Sequence, residues 1–335
     1  MGGRVWTLTQ TDDTLWYYVY HRDPDHINGR KRKKSNGSEN SVKKKFKEMA
    51  EVKEEENETS LNKTTFEEDA KDEELLRDYF QLGVNLEDLY KKWGDADAHF
   101  SHTGNIFSGV RMLRQDPVEC LFSFICTSNN HISRIQGMVE RLCSTLGTPL
   151  CKLDDAHYHD FPSIKALAGS GVEAQLRGLG FGYRARFLQQ SAHLITSSRG
   201  PNWLYTLRNA PYLEAKAALL TLPGVGSKVA DCVCLMSLDK SEAVPVDTHV
   251  WQIARRDYGC ASGSKQKTLT EKVHNEIGDF FRKLWGPYAG WAHSVLFCAD
   301  LKKFQKLKEI PTVKEEKKKV KVDKKKKKVK KQEAD

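Results

Sequence analysis

Long apolar runs are missing from this 335-residue sequence: it contains no stretch of roughly 18 consecutive apolar residues, and no basic-then-apolar leader precedes the first predicted strand. A transmembrane helix needs such a run, because the hydrocarbon core of a bilayer is about 30 Å thick. A secretory signal would need the leader. The sequence therefore predicts no membrane span, no secretion and no membrane partner.

The cysteines lack the spacing of a disulfide framework. Eight are present, scattered from residue 120 to residue 298, and no two of them form a CxxC pair. Domains that depend on disulfides are usually short, secreted and dense in cysteine. The pattern predicts a chain that works in a reducing compartment.

Excess positive charge is found only at the C-terminal end. The formal net charge is +9, but residues 302–335 contain 16 lysines against 6 acidic residues, an excess larger than that of the whole chain. Blocks of like charge of this kind are usually solvated tails. We therefore predict a disordered Lys-rich tail over residues 302–335. The total charge does not by itself indicate that the rest of the chain binds nucleic acid.

A second segment with few apolar residues spans residues 21–72. It holds 13 basic and 13 acidic residues, and its apolar content is too low to offset the entropy of ordering. We predict a disordered charged insertion. Its basic clusters, Arg30–Lys34 and Lys43–Lys47, are typical either of nuclear import signals or of a solvated loop. The predicted location is the nucleus, with the mitochondrion as a second compartment.

The remaining sequence predicts a fold that is mostly α-helical with a small antiparallel β portion at its N-terminal end (α+β). Val5–Gln10 and Thr14–Tyr20 are rich in β-branched and aromatic residues and predict a β-hairpin. Helical patterns dominate residues 73–301. Helix starts are indicated at Asn85, Asp116–Pro117 and Ile132.

The stretch around which the chain is organised spans residues 222–232 and reads LPGVGSKVADC. Before it, Tyr212–Leu220 consists mostly of good helix formers, and after it apolar residues recur at helical spacing. Gly224 and Gly226 permit positive φ and a close backbone approach. The pattern predicts a helix-hairpin-helix over residues 212–238. Amides at the start of its second helix attract a phosphate without reading base sequence.

Two side chains make this hairpin a candidate active site. Lys228 lies in the first turn of the second helix, and a deprotonated lysine amine attacks an electrophilic carbon to form a Schiff base. Asp247 lies at or near the N-cap of the helix that Val244–Val250 opens. The alternative interpretation is a phosphate-binding lysine and an ordinary N-cap aspartate, and the residues alone leave both open.

The sequence resembles a known family at these residues. The runs LPGVGSKVADCVCLMSLDK and AVPVDTHVW resemble the helix-hairpin-helix DNA glycosylases, and within them most closely the 8-oxoguanine DNA glycosylase/AP lyases. The similarity covers Arg4–Tyr20 and roughly Glu73–Leu301. Several strands precede the first of these segments in that family. The resemblance therefore predicts an N-terminally shortened chain in which residues 1–20 are the remnant of an N-terminal β domain.

The resemblance implies a bifunctional enzyme of base excision repair that excises 8-oxoguanine opposite cytosine. Lys228 would attack C1′ of the deoxyribose as the base departs, and Asp247 would stabilise the cationic sugar or assist proton transfer. The Schiff base would then permit β-elimination, which nicks the strand 3′ to the lesion. This chemistry needs no metal and no cofactor. The implied partner is double-stranded DNA containing oxidised guanine, bound by a monomer.

The resemblance also implies residues that hold the DNA. Asn129 would fill the space that the flipped base vacates, and Tyr183 would wedge the stack beside it. Arg134 and Arg184 would bind the orphaned cytosine, and His249 would contact a phosphate. Read without the family, caps and surface charge explain these residues about as well.

The implied base pocket consists of Phe297 on one face of the flipped guanine and Cys232 on the other. His293 stands where the family commonly has a glutamine that reads the base. An imidazole changes its hydrogen bonding near its ordinary pKa of about 6.5, so a base-reading His293 predicts excision that varies between about pH 5.5 and 7.5. The hairpin also resembles those that hold a structural cation, here on the carbonyl groups of Leu220, Leu222 and Val225.

Three other functions remain open at this stage. One of them, a monofunctional glycosylase, would typically lack a lysine at position 228. An endonuclease III-like glycosylase for damaged pyrimidines usually carries four closely spaced cysteines after the catalytic aspartate, whereas only Cys260 and Cys298 follow Asp247. An inactive or non-enzymatic helix-hairpin-helix protein that only binds DNA becomes the alternative if the missing strands abolish the pocket. Covalent trapping on DNA distinguishes an enzyme from a binding protein.

Overall fold

The computed structural model describes residues 1–11, 14–20, 30–35, 70–260 and 268–304, with only the backbone described in 30–35. This part of the chain is mostly helical with two small antiparallel sheets, which confirms the predicted fold class. Most of the predicted charged insertion, and nearly all of the predicted Lys-rich tail, lie outside the described residues. No described helix is long and apolar enough to cross a bilayer.

The chain divides into two compact units. The first consists of residues 1–84 and 112–240, and the second of residues 85–111 and 241 onward. The N-terminal strands, which the sequence analysis assigned to a domain remnant of their own, fall in the first unit together with the helix-hairpin-helix. The two units are described separately below.

The first unit begins with a three-stranded antiparallel sheet in the order β1-β2-β3. Strand β1 (Val5–Gln10) pairs with β2 (Leu15–Tyr20) so that Val5 lies opposite Tyr20, which confirms the predicted hairpin. Strand β3 (Arg30–Ser35) adds to the other edge of β2.

Strand β3 lies inside the segment for which the sequence predicted no regular structure. That prediction is wrong for residues 30–35. Strands pair through hydrogen bonds between backbone N–H and C=O groups, which every residue here provides. The run RKRKKS can therefore form a strand although it lacks the apolar alternation by which a strand is predicted from sequence.

The sheet packs against the first helix, α1, which is described over residues 70–79. Tyr17, Val19 and Leu76 are buried together, and partly buried side chains pack against them: Met1, Trp6 and Phe80. Arg4 and the buried Asp72 also form an ion pair, in which Arg4 Nη2 lies 2.6 Å from Asp72 Oδ1. A two-stranded hairpin is marginal alone in water, and this helix provides the apolar surface it needs.

A second hairpin was missed by the sequence analysis. Strands β4 (Pro149–Leu153) and β5 (Ala156–His159) pair antiparallel around a turn in which Asp154 has φ +50°. None of the residues in these two strands is fully buried. With five and four residues and no fully buried side chain, these strands are too short and too exposed to give a clear sequence pattern.

The other helices of the first unit build the scaffold of the hairpin. They are α4 (Pro117–Ile125), α5 (Ile132–Leu146), α6 (Ile164–Leu167), α7 (Val172–Gly178), α8 (Arg184–Ser198), α9 (Trp203–Thr206), α10 (Tyr212–Leu220) and α11 (Ser227–Ser237). Asp116 caps α4 by accepting hydrogen bonds from the N–H groups of Val118 and Glu119, which confirms the helix start predicted at Asp116–Pro117.

The second unit packs its helices around an aromatic core. They are α2 (Leu86–Ala96), α3 (Ala98–Ile106), α12 (Thr248–Tyr258), α13 (Glu271–Trp285) and α14 (Ala289–Asp300). Asn85 caps α2, as predicted. Phe281 and Trp285 stack with ring centroids 4.6 Å apart, and Tyr258 donates a hydrogen bond of 2.6 Å to Asp97.

Candidate active site

The hairpin between α10 and α11 requires glycine at one position. Gly224 has φ +80°, and a Cβ built there would lie 2.7 Å from the side chain of Phe187. A non-glycine residue is strained at this φ, and the ring of Phe187 leaves no room for a Cβ. Ser191 holds the same turn by donating a hydrogen bond of 2.8 Å to the carbonyl of Pro223. The hairpin therefore packs closely against α8.

Gly226 does not adopt the positive φ that the sequence permitted. Its φ is −101° and its ψ 179°, which is extended backbone that other residues also adopt. No atom of the described chain lies within 4 Å of a Cβ built there. Gly226 is the N-cap of α11, and within the described structure no side chain caps this helix. Its first N–H groups thus lie at an exposed glycine, an arrangement that suits an anion.

A buried carboxylate joins the two helices of the hairpin. Asp231, on α11, is 1% exposed and accepts hydrogen bonds of 2.7 Å from the Tyr212 hydroxyl and 3.0 Å from Lys216 Nζ, both on α10. A buried charge is stabilised only when it is paired and hydrogen-bonded, so these contacts hold α10 and α11 together. These contacts were not predicted from the sequence, although a single aspartate among the apolar residues of α11 was a usable signal.

Lys228 points its amine at the end of α4. Its half-buried side chain places Nζ 3.5 Å from Oγ1 of Thr127 and 5.0 Å from the centroid of the Phe124 ring. Sequence reasoning found neither of these neighbours, because they precede Lys228 by about a hundred residues in the chain. Cys232 lies on the same helix, one turn after Lys228, and is 3% exposed.

The short connection between α4 and α5, residues 126–130 (below, the 126–130 segment), carries Asn129. This residue has φ +47°, in the left-handed region that asparagine tolerates better than most residues. The carbonyl of Ser128 accepts hydrogen bonds from the Tyr183 hydroxyl at 3.1 Å and from Arg184, whose Nε lies at 3.1 Å and whose Nη2 also contacts it. Arg184 Nη2 also donates to the carbonyl of Asn129 at 3.0 Å.

The structure thus brings the predicted DNA-contacting residues of the first unit into one region. Tyr183 is 47% exposed, and the guanidinium of Arg184 lies 4.5 Å from the centroid of its ring. Arg184 itself is 3% exposed, and the exposed Arg134 donates to the carbonyl of Gly180 at 3.3 Å. Both arginines therefore bind protein carbonyls here, and their contact with cytosine stays a prediction. Ile132, 62% exposed beside this segment, was not singled out by the sequence.

The second unit carries the other predicted catalytic residue. Asp247 caps α12: its Oδ1 accepts hydrogen bonds of 2.9 Å from the N–H groups of His249 and Val250. The predicted N-cap position is confirmed. His249 is exposed, and its ring meets that of Phe297 edge-on with centroids 6.3 Å apart. Its side chain is therefore accessible to a DNA phosphate, as the predicted contact requires.

His293 is buried on α14. It is 7% exposed, and its ring lies 6.2 Å from that of Phe297. Burial lowers the pKa of this imidazole from 6.5 to about 4, against a smaller opposing effect of the Asp247 carboxylate. The imidazole is therefore neutral throughout pH 5.5–7.5. Sequence alone did not show this burial. A titration of His293 near pH 6.5 does not fit the DNA-free protein, and the predicted pH dependence of excision itself stays a prediction.

This pKa predicts how stability depends on pH. The unfolded chain protonates His293 near pH 6.5 and the folded chain only near pH 4, so its contribution to stability is complete above pH 6.5 and is lost as the pH falls toward 4. Between pH 7 and pH 4.5, we expect the unfolding free energy of the wild-type protein to fall by about 2–3 kcal/mol more than that of His293→Gln. Urea unfolding at both pH values measures this.

The control for that experiment is the exposed His102 of the same unit. His102→Gln removes an exposed imidazole instead of a buried one, and its unfolding is measured under the same conditions for comparison. Equal pH dependence in wild-type protein and His293→Gln would show that the buried imidazole does not govern acid stability.

Among the described residues no group of three or more His, Cys, Asp or Glu side chains is placed to hold a metal ion. The structural cation predicted for the hairpin would use backbone carbonyls instead. Of these, the carbonyl of Leu222 accepts a hydrogen bond of 3.2 Å from the N–H of Val225. The cation site remains a prediction.

Comparison with known families assigns this architecture. Residues 1–121 match the family model described as "8-oxoguanine DNA glycosylase, N-terminal domain", and residues 122–279 match the "HhH-GPD superfamily base excision DNA repair protein" model. The chain belongs to the 8-oxoguanine DNA glycosylase family. The first model describes a domain of 8-oxoguanine DNA glycosylases, which argues against the endonuclease III-like alternative.

Curated relatives are similar over much of this family member. It is 42% identical over 228 residues to the N-glycosylase/DNA lyase OGG1 of Arabidopsis thaliana, a match that covers 68% of this chain and 61% of the relative. It is 38% identical over 251 residues to the N-glycosylase/DNA lyase of Saccharomyces cerevisiae, with 68% and 66% covered. The chain thus spans slightly less than two thirds of the length of either relative.

Solved structures share the fold. The Clostridium acetobutylicum 8-oxoguanine glycosylase/lyase, in complex with double-stranded DNA containing cytosine opposite 8-oxoG, matches with a TM-score of 0.58 and 28% identity over 66% of this chain and 72% of that one. A 3-methyladenine DNA glycosylase from Archaeoglobus fulgidus matches with a TM-score of 0.55 over 90% of this chain and 88% of that one. At 18% identity, the second match reports the fold alone.

Proposed function

We propose that this family member is a bifunctional DNA glycosylase and AP lyase that removes 8-oxoguanine opposite cytosine from double-stranded DNA. The observation that carries the proposal is the placement of Lys228 in the first turn of α11, directly after the exposed Gly226, within a chain of this family. The hairpin holds a phosphate through the N–H groups at the start of α11, and the same turn presents the amine.

The proposed reaction runs through covalent attachment to Lys228. The deprotonated amine attacks C1′ while the C1′–N9 bond breaks and its electron pair leaves with the base, which gains a proton. Ring opening then gives an imine between Nζ and C1′. Loss of a proton from C2′ expels the 3′ phosphate and nicks the strand. Hydrolysis of the imine returns the lysine.

Asp247 would stabilise positive charge on the sugar as the base leaves. Its Oδ1 already accepts two backbone hydrogen bonds, which fixes the carboxylate at the start of α12. His293 would read the flipped base and Phe297 would stack on it, and the family resemblance adds Cys232 to the residues that contact the base. A neutral, buried imidazole offers one donor and one acceptor, so His293 would recognise the base without depending on pH near neutrality.

On the DNA surface, Asn129 and Tyr183 would occupy the gap left by the flipped nucleotide. Arg184 and Arg134 would exchange their present carbonyl partners for the orphaned cytosine, and His249 would contact a phosphate. We propose that the protein acts as a monomer in the nucleus, with the mitochondrion as a second compartment. Fractionation of cells that express a tagged chain tests the location, and light scattering tests the monomer.

Borohydride trapping tests the proposed function. The purified chain is incubated with a duplex containing 8-oxoguanine opposite cytosine and reduced with sodium borohydride, which converts the imine into a stable amine. We expect a covalent protein–DNA adduct with this duplex and none with an undamaged one. Binding to the lesion duplex without any adduct would support the alternative of a DNA-binding protein that is not an enzyme.

Replacing Asp247 separates its chemical role from its capping role. Asparagine caps helices as well as aspartate does, so Asp247→Asn should keep the melting temperature within about 2 °C. It should slow base release roughly 100- to 1000-fold, because the charge that stabilises the sugar cation is lost. Asp247→Ala should slow it similarly and also cost about 1 kcal/mol of stability. Single-turnover excision and thermal melting of both variants measure this. Excision by Asp247→Asn at the wild-type rate would leave Asp247 with a capping role only.

A further inference from the structure

Thr127 is hydrogen-bonded to the last turn of α4. Its hydroxyl donates a hydrogen bond of 2.7 Å to the carbonyl of Phe124, and its N–H donates to the same carbonyl at 3.0 Å. A threonine hydroxyl carries two acceptor lone pairs beside its one donor. The side-chain oxygen therefore remains able to accept a hydrogen bond after its proton has been used.

The group that faces this oxygen is the amine of Lys228. Nζ lies 3.5 Å from Thr127 Oγ1 and 5.0 Å from the centroid of the Phe124 ring. In its charged resting form the amine is attracted to the ring at this distance. Two residues at the end of α4 thus contact Nζ and restrict the directions in which a flexible lysine side chain points.

The next residues of the 126–130 segment are tied to the proposed DNA contacts, which include Asn129. The carbonyl of Ser128 is bound by Tyr183 and Arg184, and the carbonyl of Asn129 by Arg184. Asn129 is in the left-handed conformation. Because the main chain is continuous, a movement of residues 128 and 129 shifts Thr127 as well.

We propose that Thr127 is a positioning residue for the Lys228 amine and links this amine to the part of the segment that carries Asn129. The inference rests on the proposed function. When Tyr183 and Arg184 leave the carbonyl of Ser128 for DNA, the 126–130 segment adjusts, and the Thr127 hydroxyl aligns Nζ for attack on C1′. Flipping of the nucleotide and alignment of the Lys228 amine are then coupled.

The test compares two substitutions of Thr127 with a matched control. Thr127→Val keeps the shape but removes the hydroxyl, and Thr127→Ser keeps the hydroxyl. In the control, Thr206→Val removes the same bond elsewhere, since Thr206 donates at 2.7 Å to the carbonyl three residues earlier in an exposed turn. The measurements are the single-turnover rate of borohydride trapping at saturating protein, the affinity for a duplex with a non-cleavable abasic analogue, and the melting temperature.

We expect Thr127→Val to slow trapping roughly 10- to 100-fold, because small misplacements of a reacting group have effects of this size. DNA affinity should stay within about twofold of wild type, and Thr127→Ser should restore most of the rate. Thr206→Val should trap like wild type. If Thr127→Val melts below the assay temperature, Phe124→Leu removes the ring under the amine and should slow trapping by roughly three- to tenfold.

Each outcome decides between the inference and its alternatives. Wild-type trapping by Thr127→Val, or by Phe124→Leu where that variant replaces it, overturns the positioning role. A slower rate fully accounted for by lost affinity or lost folded protein also overturns it, since Thr127 would then act in binding or folding. A wild-type protein that forms no adduct overturns the proposed function itself. Wild-type adduct formation with an unaffected Thr127→Val overturns this inference alone.

Discussion

Lys228→Gln is expected to abolish both base release and borohydride trapping, with a loss on the order of 10³-fold or more in the single-turnover rate. Glutamine is close to lysine in length and packs similarly, but its amide is not nucleophilic and forms no imine. Lys228 is half-buried between α11 and the end of α4, so the substitution keeps most of the local packing. Affinity for a lesion duplex should fall by no more than a few-fold, because only one of several charged contacts is lost.

The matched control is Lys165→Gln, which removes an exposed lysine of the same unit from α6. It should trap and excise like wild type. The measurements are adduct yield, single-turnover excision of 8-oxoguanine, and binding to a duplex whose lesion cannot be cleaved. Ordinary excision by Lys228→Gln would remove this lysine from the mechanism, and a parallel collapse of binding would mean that it acts through DNA contact rather than chemistry.

Gly224→Ala is expected to destabilise the first unit by about 2–5 kcal/mol, because it combines a left-handed backbone with a steric clash. The φ of +80° at this position disfavours any Cβ, and the new Cβ would lie 2.7 Å from the side chain of Phe187. Phe187 is held within α8 and also meets Tyr183 edge-on at 5.8 Å. If Phe187 moves to relieve the clash, it should also displace Tyr183, which is proposed to wedge into the DNA stack.

Gly226→Ala provides the contrast two residues away. Its φ of −101° suits alanine, and the described structure leaves the position of the new Cβ open, so the unfolding free energy should change by no more than about 1 kcal/mol. Under the proposed function the added methyl group would obstruct the phosphate at the start of α11 and weaken DNA binding. Urea unfolding and DNA titration of both variants test the pair. Equal stability of the two variants would show that the hairpin does not depend on the left-handed turn at Gly224.

The sequence predicted local features of this protein well, because those features depend on near neighbours. The boundaries of α10 follow from helix propensity, and the caps formed by Asn85, Asp116 and Asp247 follow from side chains that bond amides two or three residues ahead. The β1–β2 hairpin follows from its β-branched and aromatic residues. Local pattern failed where the determinants were backbone pairing, as in β3, or weak burial, as in β4 and β5.

The same distinction between local and long-range features applies to the candidate site. The sequence by itself determined the hairpin, its lysine and the N-cap aspartate, since each lies in a run whose spacing has a direct physical meaning. Only the tertiary structure decided what surrounds them. Thr127 lies beside Lys228, Phe187 lies against Gly224, and His293 is buried deeply enough to lower its pKa to about 4. These contacts join residues far apart in the chain, and packing free energy depends on the folded arrangement of many side chains rather than on any local pattern.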